Sequence, residues 1–424
     1  ISKTHITNFL ILLPFILVYL GSTLTAFDKG LSSLLKFGAF TYMLLYIIMN
    51  RKFNKNLFFF TIIFIPFLLY GILISFSLKA GIDDGVRYLF PIVTLFYSYS
   101  IKKHFKVLLY FIIAFVLLNF ITQLFNYYYS LQGGIQWFYY ATEDGYRYVN
   151  KTAGILRATG TVVFFGFFGF FNLIAFFVIN KFYIGKYKDF LLGITLFGLL
   201  GSISFKALGA FFIVLVVYYY KKIYKIAGYL LILVIGVYFT YPAKINLFLE
   251  NLILRIQLYI TTGNSARSES YRVMFNEFAD FNLFGRGVGA FGGPASTKYN
   301  SPFYGEVNFN WFDAAWLNLS TTDTYLPHLF VELGIVGGIL YFLVLITPLL
   351  KTKMNNKMML VLVIYFCLFF DMLFSFSLNN LEYLFFSLIF DILFFSLILL
   401  MGNLRCSPIL LLRGGETEAF SIHF

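Results

Sequence analysis

Six arginines, Arg147, Arg157, Arg255, Arg267, Arg272 and Arg286, lie in two long segments between apolar runs, whereas the short basic clusters elsewhere are nearly all lysine. A guanidinium presents a planar, weakly hydrated fork that binds phosphate oxygens in pairs, so it suits a dry phosphate site; lysine suits topology and lipid headgroups. The same arginines could instead snorkel to lipid phosphates or pair with Glu269, Glu277 and Asp280. A second group opens the apolar run after Thr321 and Thr322: Asp323, His328 and Glu332. Asp323 could take a proton or cap a helix, and His328 could act as a base or be a satisfied buried imidazole. Glu332 falls inside the helix, where a carboxylate needs a partner, and reads as a supporting group.

The elements that must position these residues are membrane helices. Of 424 residues, 60% are hydrophobic and only 12% charged, against about 25% charged in a soluble domain, which excludes a water-soluble fold. Two cysteines and four scattered histidines form no redox pair or metal cluster at motif spacing. A crossing takes about 20 apolar residues. This predicts twelve spans near 7–26, 31–49, 57–78, 87–101, 107–128, 161–179, 190–204, 207–220, 226–241, 323–349, 358–377 and 381–401. Lysine-rich loops at every second connection (Lys52, Lys102, Lys186, Lys221 and Lys353 with their neighbours) mark the cytoplasmic side. The net charge of +13 therefore follows topology and does not suggest nucleic acid. That parity puts both termini in the cytoplasm and requires 190–204 and 207–220 to be two helices. The first apolar stretch exceeds a signal-peptide core and reads as an uncleaved helix.

Two outer loops, 129–160 and 242–322, are too long to be mere connectors. The second, rich in aromatics and glycines, is expected to pack as short helices and turns on the membrane surface. The chain divides into helices 1–241, the large loop 242–322, helices 323–401 and a cytoplasmic tail 402–424.

The ordered segments Gly154-Ile-Leu-Arg-Ala-Thr-Gly160, Ser202 to Gly209, Phe284-Gly-Arg-Gly-Val-Gly289 and Asp323 to Gly337 resemble the O-antigen polymerase and O-antigen ligase superfamily. The resemblance covers roughly residues 150–345. It implies an all-α polytopic membrane protein of about twelve helices, C-type glycosyltransferase-like, with a large helical periplasmic loop, in a bacterial inner membrane. The implied partner is an undecaprenyl-diphosphate-linked oligosaccharide, with a chain-length regulator as a further one and no metal or cofactor. Arg157, Arg267, Arg272 and Arg286 would hold the diphosphate, with Lys206 where relatives often carry arginine. Many relatives, the ligases especially, have a His-Asn pair about nine residues before the glutamate; here the count reaches Asp323-Thr324. The base is then Asp323, or His328 in a shifted register, with Glu332 and Tyr325 in support. The missing histidine favours a polymerase over a ligase.

Diphosphate is already a good leaving group, so the donor needs charge stabilisation rather than a general acid. The acceptor hydroxyl needs a base. A ligase acting on lipid A core and a transporter or flippase of lipid-linked sugar are the competing functions. Asp83 and Asp84, beside Arg87 in a short outer loop, are a conceivable metal site. Asp371 and Asp391 interrupt apolar helices, and Asp371 could pair with Lys36.

Overall fold

The computed structural model describes residues 3–51, 54–133, 140–141, 147–148, 151–152, 155–218, 228, 239, 242–256, 265–309, 322, 324–350, 358–375, 378 and 381. Six stretches are long and apolar enough to cross a membrane by length and composition: Thr7–Leu24, Lys29–Asn50, Lys55–Leu73, Leu78–Leu131, Phe165–Phe182 and Tyr325–Leu349. Phe205–Val217 and Val361–Met372 are shorter apolar helices. The chain is an all-α multi-pass membrane protein. The predicted spans 226–241 and 381–401 fall almost wholly outside the described residues.

In order the helices are α1 (Lys3–Leu24), α2 (Lys29–Asn50), α3 (Lys55–Leu73), α4 (Leu78–Ile101), α5 (Phe105–Leu131), α6 (Phe165–Phe182), α7 (Lys188–Ser202) and α8 (Phe205–Tyr218). They continue as α9 (Pro242–Ile256), α10 (Ala266–Ala279), α11 (Pro294–Lys298), α12 (Phe303–Glu306), α13 (Tyr325–Ile346) and α14 (Met358–Met372). The described strands are four two-residue pieces paired as antiparallel ladders between α5 and α6. Helix starts follow side-chain chemistry: Asp28 caps α2 at Leu31 N (3.0 Å), and Asn54 caps α3 at Asn56 N (3.0 Å). Between α7 and α8 the chain turns at Ile203 (φ 47°), so two helices stand where parity required two.

Two packing groups emerge. Helices α1 to α4 pack among themselves, with α3 and α4 against α13, while α6 packs with α5, α7 and α8, and α14 lies against α8. One aromatic and aliphatic core, including Phe64, Phe167, Phe171 and Tyr341, spans both.

Three expectations are corrected. The segment carrying Asp83 and Asp84 is not a loop, because α4 begins at Leu78. The helix expected over 323–349 is not continuous: its N-cap is Thr324, and it breaks at Gly334 (φ 70°, ψ −177°). Nor does the whole of the large loop lie on a surface. Residues 282–293 run inward against α3, α4 and α13, with Val288 N donating to Gly71 O at 2.8 Å. Glycine allows this approach, since a Cβ at Gly289 would stand 2.8 Å from the Ala80 backbone.

Candidate functional site

Helix α13 places its polar groups one turn apart, His328 then Glu332, both fully buried. Its break at Gly334 frees carbonyls and amides that a membrane interior must see paired. The inward segment pairs them: Arg286 N and Gly287 N donate to the carbonyls of Val331 (2.9 Å) and Glu332 (3.1 Å). In return Ile335 N and Val336 N donate to Asn282 O (3.2 Å) and Leu283 O (3.1 Å).

The same segment brings Phe291 over the helix. Its amide donates to Glu332 Oε1 at 3.1 Å, and Tyr88 of α4 donates to Oε2 at 3.0 Å. Since a carbonyl only accepts, His328 Nδ1–H donates to Phe291 O at 2.7 Å, leaving Nε2 with a lone pair. Tyr88 stacks on the imidazole (5.2 Å, 5°), and Tyr325 meets it edge-on at 5.8 Å while donating to Tyr341 Oη at 3.1 Å. Asp84 completes the group: one ligand atom from each of Asp84, His328 and Glu332 lies within 4.8 Å of the others. Toward the surface Arg87 Nε stands 3.1 Å from Asp84 Oδ1, and Asp83 bonds Lys298 at 2.9 Å. That hydrogen bond raises the Lys298 pKa. Nearby, Tyr304 accepts from Gly292 N at 2.8 Å, and burial raises its hydroxyl well above the usual range.

A second polar group surrounds the α7–α8 turn. Residues 157–161 are pinned by an amide stripe on α5: Gln123 Oε1 accepts from Thr159 N (3.0 Å) and Gly160 N (2.9 Å), and Asn119 Oδ1 from Thr161 N (2.9 Å). Arg157, 5% exposed, therefore has a fixed start. Its guanidinium donates to the carbonyls of Ser202 (3.1 Å) and Ile203 (2.6 Å) and lies 3.2 Å from the centre of the Phe165 ring. Three residues on, Lys206 pairs with Asp371 at 3.2 Å. The expected partner Lys36 is thus replaced by a cation much nearer the turn. Tyr271 of α10 donates to Leu373 O at 2.9 Å. Burial pushes its hydroxyl up to about 12 while Arg267 pulls the other way. Arg157 and Lys206 thus both engage partners at or next to the turn, and Arg267 acts on Tyr271 through its charge.

The other two expected phosphate ligands are engaged elsewhere. Arg272 binds Glu269 and the Val307 carbonyl, and Arg286 binds Glu277 at 2.9 Å. Both carboxylates raise the pKa of their arginine. The expected pairing with Glu269 and Glu277 is thus present at these two arginines. Asp323 lies outside the described residues; of its neighbours, Thr322 N donates to Gly292 O at 3.2 Å, and both Thr322 and Thr324 are buried.

No protein-family model matches this chain, and no curated protein matches it. Function therefore rests on residue chemistry and geometry.

Both groups form at one end of the bundle. Contacts such as Arg157 to Ile203, Lys206 to Asp371, Tyr271 to Leu373, Val288 to Gly71 and Tyr19 to Thr161 join neighbouring helix ends there. Tyr88, the amide stripe of α5 and the Gly334 break were missed in the sequence. Only the stripe had a signal, amides at 119, 123 and 126 in an otherwise apolar helix.

The Lys206 and Asp371 pair supports one prediction. Each side chain is largely buried, 16% and 4% exposed. Asp371→Ala leaves a buried ammonium and is expected to destabilise by about 3 kcal/mol. The double variant Lys206→Met, Asp371→Leu should recover much of that loss in detergent melting curves. Equal losses in both would show that the pair does not couple.

Proposed function

We propose that this chain is a polysaccharide polymerase acting on the periplasmic face of a bacterial inner membrane. It would transfer a glycan from undecaprenyl diphosphate to the sugar end of another lipid-linked repeat unit. One observation carries the reading: Arg157 and Lys206 stand at the α7–α8 turn, Arg157 on the carbonyls of Ser202 and Ile203 and Lys206 paired with Asp371, while α10, which carries Arg267, is tied through Tyr271 to Leu373 O. The order of motifs that resembles the O-antigen polymerases and ligases points the same way.

In this reading the acceptor oxygen attacks the anomeric carbon and the carbon–oxygen bond to the diphosphate breaks. The leaving oxygen takes the bonding pair and the acceptor proton passes to a base. Charge then grows on the diphosphate, where fixed cations in a dry site stabilise the transition state most. The proton-accepting role is assigned to Asp323, which precedes α13 in the sequence, with the fully enclosed His328, Tyr325 and Glu332 supporting the inward segment. Arg272 and Arg286, held by Glu269 and Glu277, serve the loop rather than the diphosphate.

The purified chain, given defined undecaprenyl-diphosphate repeat units, is expected to yield longer lipid-linked chains. Arg267→Ala should lower product about 100-fold, and Arg157→Ala at least as much, whereas Arg272→Ala should stay near wild type. Because Arg157 also closes the turn, its melting curve is read alongside activity. Wild-type turnover by Arg267→Ala would remove the phosphate-binding role. Transfer only to added lipid A core would indicate a ligase. A second reading has its own support, since the broken α13 and buried acids resemble the discontinuous helices of transporters. Translocation between vesicles without a covalent product would favour it.

A further inference from the structure

The cluster of Asp84, His328 and Glu332 is not used by the chemistry proposed above. All three residues are fully buried. They come from α4 and α13, closed over by the glycine-rich segment 289–293. A Cβ at Gly293 would collide with Asp84 Oδ2 and lie 2.8 Å from His328 Cε1, so the absence of a side chain there keeps the space between the carboxylate and the imidazole open.

We propose that these three residues form a binding site for one divalent transition-metal ion of the Zn2+ or Mn2+ class. Four observations converge. Two carboxylates supply the two negative charges such an ion requires, and imidazole with carboxylate is a donor set that these metals accept. His328 donates Nδ1–H to the Phe291 carbonyl, which orients the ring and leaves Nε2 basic, as outer contacts do for metal-bound histidines. Glu332 is fixed by Tyr88 and the Phe291 amide, and its oxygens keep lone pairs for a metal. The buried Asp84 is held by Arg87 Nε, 3.1 Å from Oδ1, and by a weak contact from the Ala295 backbone, so its oxygens keep lone pairs for a metal. Two ionised carboxylates so close in a dry site repel, and an ion between them removes that penalty.

The fit requires modest closure. The ligand atoms lie within 4.8 Å of one another, whereas ligands of one tetrahedral ion stand roughly 3.3 to 3.6 Å apart. In the proposed site, rotation about the side-chain bonds of Asp84 and His328 would have to cover the difference, with Arg87 keeping its 3.5 Å contact with Asp83.

The test needs no activity assay. The full chain, stripped with EDTA, passed over a desalting column and supplied with Zn2+ or Mn2+, should retain one ion per chain by mass spectrometry of the metal and melt at a higher temperature than the stripped form. Asp84→Asn and His328→Ala should bind at least about tenfold more weakly, with Asp83→Asn unchanged. The proposal falls if wild-type protein retains no more metal than the stripped blank, or if the Asp84 and His328 variants retain as much as wild type. Should either variant fail to purify, the metal content and melting shift of the wild type decide. The polymerase reading can fail while this one stands, because binding is read without lipid-linked substrate.

Discussion

Gly334→Ala is expected to abolish recovery of a folded, monodisperse protein, or to leave one that melts far below wild type. Gly334 adopts φ 70° and ψ −177°, a combination open essentially to glycine alone. A Cβ there would run into Gly285 N and the Leu283 carbonyl. Neither is the end of a flexible side chain: the Leu283 carbonyl accepts from Val336 N across the break, and Gly285 N donates to Asn282 Oδ1. If α13 straightens to avoid the clash, the four bonds between residues 282–287 and residues 331–336 are lost together. Each such bond contributes about 1 kcal/mol net, and more where the freed groups meet no water. Strain adds about 1 to 3 kcal/mol. Gly193→Ala is the control, since its Cβ would meet nothing within 4 Å and alanine favours the helix. A Gly334→Ala protein that melts with the wild type would show that the break does not hold the inward segment.

That break also shows where sequence reading stops. The existence of α1 to α8 was legible because hydropathy records a simple physical constraint, hydrocarbon that must be met by about 20 apolar residues. Even the short pair α7 and α8 could be required from parity alone. Gly334 was visible only as part of a Glu-x-Gly run, and nothing in an apolar window distinguishes a helix that continues from one that parts to receive another segment. Glu332 was legible as a carboxylate in need of a partner, but not which partner, since Tyr88 is 244 residues away. Likewise the arginines could be read as a set of forks, but not which of them would pair with Glu269 and Glu277, and on α10 that depends on the face each occupies. Arg267 shares a face with Tyr271, and Arg272 turns toward Val307.

The contacts of Glu332 are expected to carry the second large effect. Glu332→Ala would leave the Tyr88 hydroxyl and the Phe291 amide facing each other without an acceptor in a fully buried site. Removing one side of such a network costs about 3 to 5 kcal/mol, enough to unseat residues 289–293 from α13. Tyr88→Phe removes only a donor, and its single-variant loss should be about 1 to 3 kcal/mol. Made together, the two changes no longer orphan the hydroxyl, so the double variant should lose less than the two single losses added, by about 1 to 3 kcal/mol. The coupling should persist in protein stripped of divalent ions, because the bonds that produce it are direct. Equilibrium unfolding in detergent of the four proteins of this cycle measures it. Strict additivity would mean that Glu332 is held by the backbone amide alone and that Tyr88 is there to stack on His328 rather than to bind the carboxylate.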